Sequence, residues 1–555
     1  MLSRLVIGTR GSDLALAQSR EVAAALEAAW PGLEITFQVM TTRGDRELDQ
    51  PLPEIGGKGL FTRELEQALR GGKIDLAVHS LKDLPVEDAD GLRVGAVTSR
   101  PARRDVLYSA RGWTLDTLPP RAVVGTSSPR RAAQLAVIRP DARVVSLRGN
   151  VPTRIRRVEE GRYDAILLAE AGLARLGLLR SDRCVPLPVD TMIPAPGQGA
   201  LAVQCRADDA NVLALLAPLH DPVAAVETAV ERAFLRALGG GCAVPVGAAC
   251  EADGNRLVLR VFRDRWRVKV EGSMDRPEDL VSAAVEKLRE REGGTLSGRR
   301  VVITRARDQA GTFREMLEDR GAVVLELPLI GIQLLYCPTP DPDDVSLLVF
   351  TSANGPRAFA ASLSTGQRFP LEFWQRVPVA VIGPGTGRAA MEQGFRVEIT
   401  ADESVAEAFL ETLRDRVARY PRRRVVVVQG EQARDTLCKG LREMGAIVTR
   451  LVPYRTCCRS TITETESAML EAFQPEVVAF TSASTVRAFA GAVPEALRYR
   501  MEAAGVRYVS IGPQTSLAAG SAGLPVARTA ERHDLAGLTR ALEEMFNPPG
   551  ECRNP

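Results

Sequence analysis

Two residues in this sequence stand where chemistry is expected. The first is Asp83, in His79-Ser80-Leu81-Lys82-Asp83-Leu84-Pro85. This stretch closes an apolar run, Ile74-Asp75-Leu76-Ala77-Val78, that predicts a buried strand of an α/β domain. In open α/β sheets, sites collect beyond the carboxyl ends of strands. Asp83 stands there, beside Lys82 and just before a proline that stops regular structure, which makes it a candidate for chemistry. An Asp after a strand also fits a turn former or helix cap. The second is Cys242, in Gly239-Gly240-Gly241-Cys242-Ala243-Val244-Pro245. A free Cys is commonly a small buried hydrophobe. After three glycines, however, another group can approach the backbone closely, which makes Cys242 a candidate for covalent attachment. Cys184, Cys205 and Cys250 are read as buried hydrophobes, and Cys457 and Cys458 as structural.

Arginines recur where strands are predicted to end. Arg10-Gly11-Ser12 follows a strand over residues 2–9 and precedes a helix from Asp13 to about Ala29. Ser127-Ser128-Pro129-Arg130-Arg131 ends a strand over 122–128 and opens a helix with a capping Ser and a Pro. Such a helix N-terminus attracts anions, and Arg130 and Arg131 add to the attraction. A strand over 144–147 runs into Arg148, with Arg154 a helical turn later, and Ala165–Ala169 is followed by Arg175. One such Arg is a solvated charge. Several on one rim form a cleft for a polyanion whose carboxylates or phosphates take bidentate contacts. Gly56-Gly57-Lys58-Gly59 lacks the P-loop pattern and is either a surface loop or a lid.

The elements that position these residues follow from the rest of the first half. A strand over 200–204, introduced by Pro196-Gly197-Gln198-Gly199, returns the chain to the first α/β unit. A helix over 221–238 and residues 256–291 complete a small α/β domain. The chain has 555 residues, which at roughly 150 per domain predicts three to five domains. A net charge of +3 and 5% aromatic residues argue against nucleic-acid binding. No apolar run approaches the roughly 18 residues a membrane span needs, and the N-terminus does not read as a signal peptide. A cytoplasmic protein is therefore expected, with reduced thiols and a monomeric state. With three His and neither CxxC nor HExxH spacing, no metal site is expected.

Residues after a short polar link, 293–298, carry an internal repeat. Residues 301–330 lie without gaps on 425–454, 347–363 on 477–493, and 381–387 on 510–516. Each copy reads strand–helix–strand, then strand–Thr-Ser–helix, then strand–Ile-Gly-Pro–helix. Two similar, doubly wound parallel-sheet domains follow from this pattern. The turns at Thr351, Ser352 and Asn354, at Gly383 and Thr386, at Thr481 and Ser482, and at Gly512 and Thr515 cap helices. They also present backbone N–H groups that suit carboxylates. Neither copy holds a GxGxxG dinucleotide fingerprint.

Taken in order, TRGS (9–12), TRGD (42–45), GGKGLF (56–61), HSLKDLP (79–85), GTSSPRR (125–131), SLRGN (146–150), AGLARL (171–176), PGQGA (196–200) and GGCAVP (240–245) resemble the hydroxymethylbilane synthase (porphobilinogen deaminase) family. The resemblance implies two periplasmic-binding-protein-like lobes, 1–98 with 196–216 and 99–195, and a third domain, 217–292. It implies a primer, dipyrromethane, attached to Cys242 through a thioether, and polymerisation of four porphobilinogens to hydroxymethylbilane with release of ammonia. Asp83 would be the acid/base group that helps expel ammonia and stabilises the resulting azafulvenium-like cation, with Lys82 beside it. Lys82, Asp83, Ser128, Arg130 and Arg131 would hold the cofactor. Arg10, Ser12, Arg148, Arg154 and Arg175 would bind the acetate and propionate groups of the growing chain. Glu54 departs from the pattern, because some relatives have Lys there.

The second half, over about 296–545, resembles uroporphyrinogen-III synthase through LSGRRVVITRA (296–306) and the repeat. That implies two flavodoxin-like domains, 299–331 with 457–545 and 332–456, joined by a two-strand ladder. Hydroxymethylbilane would bind between them and close with inversion of its last ring, without metal or cofactor. Tyr454, in VPYRT, would assist departure of the hydroxyl, and the turn residues named above would bind substrate. Two alternatives stay open from sequence: an anion-binding module without catalysis in the first half, and a degenerate cyclase in the second.

Overall fold

The computed structural model describes residues 3–41, 62–239, 245–363, 368–401, 406–417 and 424–547. Cys242, Glu54 and the glycine loop at 56–59 lie outside these. The chain divides into two compact units. One holds Met1–Arg299, Glu318–Leu325 and Glu464–Gln474, and the other Arg300–Leu317, Glu326–Thr463 and Pro475–Pro555. The architecture is mixed α/β with several parallel sheets. Among the described residues no single helix is long and apolar enough to cross a membrane.

The first sheet runs in the order Glu34–Met40, Arg4–Arg10, Leu76–Ser80, Leu201–Arg206, Leu92–Val97. The first three strands are parallel, and Leu201–Arg206 is antiparallel to both of its neighbours. The central strands are apolar on both faces because helices cover both. On one face Leu5, Ile7, Leu76, Val78 and Val203 pack against Val22 and Leu26 of the helix Asp13–Ala29. On the other, Ala77 packs with Ile74, Leu65 and Leu69. The central strand begins at Leu76, two residues later than the apolar run predicts. Asp75 is the reason: its carboxylate accepts from Val6 N at 2.9 Å, so a side chain takes a place in the ladder.

The second sheet is ordered Arg143–Val145, Val123–Gly125, Ala165–Ala169, Asp105–Tyr108, Cys184–Pro186. Asp105–Tyr108 runs antiparallel to its neighbours, while the other internal pairs are parallel. Two strands here are shorter than the sequence predicts. Ser127 Oγ donates to Leu147 O at 2.6 Å and accepts from Leu147 N at 3.1 Å, so the chain leaves the ladder in a side-chain-mediated turn. A third, antiparallel sheet of Val246–Asp253, Arg256–Arg263 and Trp266–Ser273 packs on the helices Pro222–Ala237 and Pro277–Glu292. Cys184, Cys205 and Cys250 are buried, and burial pushes the Cys205 thiol to about 11 and Cys250 to about 12.

Most of both repeat copies falls in the second unit, and corresponding segments adopt corresponding elements. Leu347–Phe350 and Val477–Phe480 are strands leading to the helices Asn354–Leu363 and Ala483–Ala492. Gly383 and Gly512 stand at the N-caps of Pro384–Glu392 and Pro513–Ser521. The two sheets are ordered Val323–Glu326, Arg300–Ile303, Val477–Phe480, Arg507–Ser510, Val526–Thr529 and Ile447–Leu451, Arg424–Val428, Leu347–Phe350, Val379–Val381, Val397–Thr400. Corresponding segments therefore occupy corresponding places, but each sheet takes its first two strands from one copy and its last three from the other. The crossing strands, Ile330–Leu334 and Tyr454–Cys458, form a two-stranded antiparallel sheet between them in sequence. Cys457 and Cys458 are exposed on that ladder.

Candidate functional site

In the first sheet, parallel register brings Ile7 level with Leu76, so Arg10 reaches the rim where Leu76–Ser80 ends. The chain then tightens into a single 3-10 turn, Leu81–Asp83, before Pro85. Asp83 is exposed and Lys82 half-buried. His79, one residue inside the rim, is buried. Burial, with the Arg10 guanidinium opposing a second positive charge, lowers its pKa to about 4. A neutral imidazole and a cation thus sit on adjacent strand ends. Ser12 caps the helix Asp13–Ala29 by accepting from Ala15 N at 3.3 Å, which leaves its hydroxyl proton available to a ligand.

The antiparallel strand Asp105–Tyr108 starts where its neighbour Ala165–Ala169 ends, so Asp105 lies on the carboxyl rim of the second sheet. There it meets the first turn of the helix Pro129–Ile138, which Ser128 caps by accepting from Arg131 N at 3.5 Å. Asp105 Oδ2 accepts from Arg130 Nη1 at 2.6 Å, and Oδ1 from Arg131 Nη2 at 2.7 Å and Nε at 3.0 Å. All three side chains are buried. The two guanidiniums hold the Asp105 carboxyl well below the usual carboxylate range, while burial opposes them. Arg130 Nη1 also donates to Ile193 O, and Arg131 Nη1 to Leu167 O. Arg130 and Arg131 thus form a neutralised internal cluster with Asp105. The sequence does not single out Asp105: it leads an apolar strand, but its partners Arg130 and Arg131 stand 25 and 26 residues further on.

Arg154 differs. Its Nε donates to Gly149 O at 2.7 Å. Burial, and then the charges of Arg131, Arg148 and Arg157, push it down to about 10. Cations drawn together against their mutual repulsion make a site for an anion. Arg148 lies on the same rim, just past the strand Arg143–Val145. Arg175 bridges elsewhere: its Nε reaches Glu21 at 2.7 Å and its Nη2 reaches Gly199 O at 3.0 Å, tying the second sheet's helix Glu170–Arg175 to the first sheet. A further buried network joins segments distant in sequence: Arg100 pairs with Glu227 and Glu231 at 2.8 and 2.7 Å, fastening the segment between the strands Leu92–Val97 and Asp105–Tyr108 to the helix Pro222–Ala237.

In the second unit, Tyr454 is buried, and its hydroxyl shares a 2.6 Å hydrogen bond with Ser352 Oγ. Its ring packs on Gly430: a Cβ there would lie 3.1 Å from Tyr454 Cε2. The hydroxyl therefore stands at the carboxyl ends of Leu347–Phe350 and Arg424–Val428, adjacent strands at the switch point of their sheet. Burial raises the Tyr454 pKa, so the group is a neutral donor at neutral pH. Thr351 Oγ1 donates to Val428 O at 3.5 Å beside it. Asn354 opens the helix Asn354–Leu363, and Thr386 is buried in the first turn after Gly383. In the other sheet, Ser482 forms a reciprocal capping box with Thr485 after Thr481, and Thr515 is buried after Gly512. Replacing Tyr454 with Phe removes the phenol hydroxyl at this switch point. For the cyclisation that the resemblance implies, the expected result is a rate lowered about 10²-fold or more and product shifted toward uroporphyrinogen I, with ammonia release unchanged. An unaltered isomer ratio would remove Tyr454 from the chemistry.

A family model described as porphobilinogen deaminase, dipyromethane cofactor binding domain, matches residues 5–214, and one described as porphobilinogen deaminase, C-terminal domain, matches 225–290. A third, uroporphyrinogen-III synthase HemD, matches 311–540. A porphobilinogen deaminase of Roseiflexus sp. (strain RS-1) is 49% identical over 303 residues, 53% of this chain and 99% of that protein. That of Syntrophobacter fumaroxidans is 50% identical over 260 residues, 47% of this chain and 84% of that protein. Among solved structures, uroporphyrinogen-III synthetase from Helicobacter pylori is 18% identical, over 44% of this chain and 99% of that one, with a TM-score of 0.33. The chain belongs to the porphobilinogen deaminase family through its first half, and its second half matches the uroporphyrinogen-III synthase model.

Proposed function

We propose that the chain is a bifunctional enzyme of tetrapyrrole biosynthesis. Its first half polymerises four porphobilinogens to hydroxymethylbilane, and its second closes that product to uroporphyrinogen III with inversion of the last ring. The observation that carries this is the joining of the two family matches in one polypeptide. We read 1–98 with 196–216 and 99–195 as two lobes of periplasmic-binding-protein type, and 217–292 as the domain carrying Cys242. In the second half, 299–331 with 457–545 and 332–456 are read as flavodoxin-like domains; strand orders with a switch point support this.

Dipyrromethane fits the residues of the first cleft on one structural ground. Arg154, crowded by Arg131 and Arg148, needs anions, and a dipyrromethane side chain supplies carboxylates. Cys242 would hold it covalently, and when bound it supplies the pyrrole position to which the first substrate is joined. Asp83, exposed at the rim, takes up and returns protons as ammonia leaves porphobilinogen, and its negative charge stabilises the cation left behind. Lys82 and Arg10 orient substrate carboxylates against it. Arg148, Arg154 and Arg175 receive the carboxylates of the lengthening chain, and Ser12 adds a hydroxyl donor. Arg130, Arg131 and Ser128 act on the cofactor side of the cleft. The second site has few ionisable groups, which suits a substrate that ionises by losing water once it is held and its charge stabilised. We place the enzyme in the cytoplasm, as a monomer acting on small molecules.

Incubation with porphobilinogen, oxidation, and separation of uroporphyrin isomers tests both halves together. Mostly isomer III is expected. Isomer I alone would leave the second half a degenerate cyclase. No porphyrin from folded protein, with no mass increment on Cys242, would make the first half an anion-binding module.

A further inference from the structure

We propose that Gln198 is a positioning residue: it holds the Lys82 ammonium beside Asp83 and ties that turn to the Asp105–Arg130–Arg131 cluster of the neighbouring sheet. The inference rests on Lys82 and Asp83 being the working pair of the deaminase site.

Gln198 is 1% exposed, yet every polar atom of its amide is used. Its Oε1 accepts from Lys82 Nζ at 3.3 Å. Its Nε2 donates toward Arg103 O at 3.0 Å, Arg104 O at 3.2 Å and Asp105 Oδ1 at 3.1 Å. Only this orientation works. Turned over, the amide oxygen would face three acceptors and the NH2 group would face an ammonium. One side chain therefore touches the catalytic turn with one end and the buried carboxylate between the two arginines with the other.

The backbone is built to put it there. Leu201–Arg206 is antiparallel to Leu76–Ser80, with Leu201 opposite Ser80, so the segment just before it lies on the rim where the catalytic turn begins. Gly197 and Gly199 flank Gln198 at φ of +75° and +97°, conformations that disfavour other residues. A Cβ on Gly197 would lie 3.0 Å from Leu81 Cγ and 3.3 Å from Lys82 N, and one on Gly199 would lie 2.7 Å from Ala102 O. Leu81 N donates to Ala200 O at 3.0 Å, and Gly197 N to Glu231 Oε2 at 2.7 Å. The loop is clamped between the turn and the helix Pro222–Ala237, with Gln198 at its centre.

A glutamine filling space alone would leave its oxygen idle. Here the oxygen is the one neutral partner among the charges facing Lys82. Asp83 and Asp105 favour the ammonium, whereas Arg131, Arg130 and above all burial oppose it, leaving Lys82 lowered to about 8. A Lys has a flexible stem and a compact charge, so its place depends on the acceptors around it.

The test reads Lys82 directly. The full chain has six lysines. Reductive ¹³C-methylation gives each a resolvable NMR signal, and Lys82→Arg identifies the one wanted. Gln198→Met, close to Gln in volume, removes the acceptor. Its expected effect is to lower the Lys82 titration midpoint by about half a unit to one unit. Gln198→Glu adds a charge at the same place and is expected to raise the midpoint by at least that much. The alkaline limb of kcat/KM for porphobilinogen should move with it, down and up respectively. A structural role alone would lower stability and move neither. An unchanged midpoint in folded Gln198→Met would overturn the proposal. Full turnover in Lys82→Met would instead overturn the catalytic reading of the pair, whatever the titration shows.

Discussion

Asp83→Ala is expected to stop ammonia release from porphobilinogen while leaving the fold intact. The carboxylate stands past the strand Leu76–Ser80, on a single 3-10 turn and exposed. Removing an exposed side chain of this kind changes stability by about 0.5 kcal/mol or less. Its loss from the reaction is a different matter. Proton transfer by a placed group contributes about 10²–10⁴-fold, and preorganised charge opposite a developing cation contributes a comparable factor. A fall of at least about 10³ in kcat is therefore expected. Asp83→Asn, which keeps the shape and removes the charge, should fall as far. Circular dichroism and an ammonia-release assay on primer-loaded protein check both halves of the statement. Rates within tenfold of the unaltered enzyme in either variant would end the assignment.

Asp105→Ala carries the largest expected effect on stability. It leaves Arg130 and Arg131, 5% and 7% exposed, with buried charges and no counter-ion. Breaking a buried pair by removing one partner costs about 3–5 kcal/mol. Amide exchange in Asp105–Tyr108 and Ala165–Ala169 would report it, and a loss below about 1 kcal/mol would contradict the cluster's role. The pH dependence has a defined sign. The carboxyl is held below its unfolded value, so its contribution is fully present above the ordinary carboxylate range. It is lost only as pH falls through the lowered folded value. The gap between Asp105→Ala and the unaltered protein should thus persist through pH 4 and close only in stronger acid. Turnover should fall as well, because Gln198 loses one of the partners that orient it.

The features legible in the sequence are those that local pattern encodes. An apolar run followed by Lys82-Asp83-Pro85 announces a strand end with a carboxylate on it, and the repeat announces two like sheets because its copies align without gaps. Strand lengths were less legible, since Asp75 and Ser127 take ladder positions with side chains. Asp105 and Gln198 were not legible as partners. They meet Arg130, Arg131 and Lys82 only because two antiparallel strands start at rims where parallel strands end, and strand direction is a tertiary outcome. The pairing of Arg100 with Glu227 and Glu231 spans more than 120 residues and has no local trace. The Arg residues look alike in sequence. Folded, Arg130 and Arg131 are neutralised by Asp105, whereas Arg154 gathers positive neighbours.

The exchange of segments between the two repeat copies sets a timetable for synthesis. The sheet running from Leu347–Phe350 to Ile447–Leu451 is continuous in the chain and can close as soon as its last strand leaves the ribosome. Arg300–Ile303 emerges first of all the strands in this unit, yet its parallel partner, Val477–Phe480, follows about 170 residues later. At elongation rates of about 5–20 residues per second, that strand waits on the order of ten to thirty seconds with an apolar edge unpaired. The sheet made of the later-starting strands thus closes first, and the one begun by Arg300–Ile303 is completed only after Val526–Thr529 has been made.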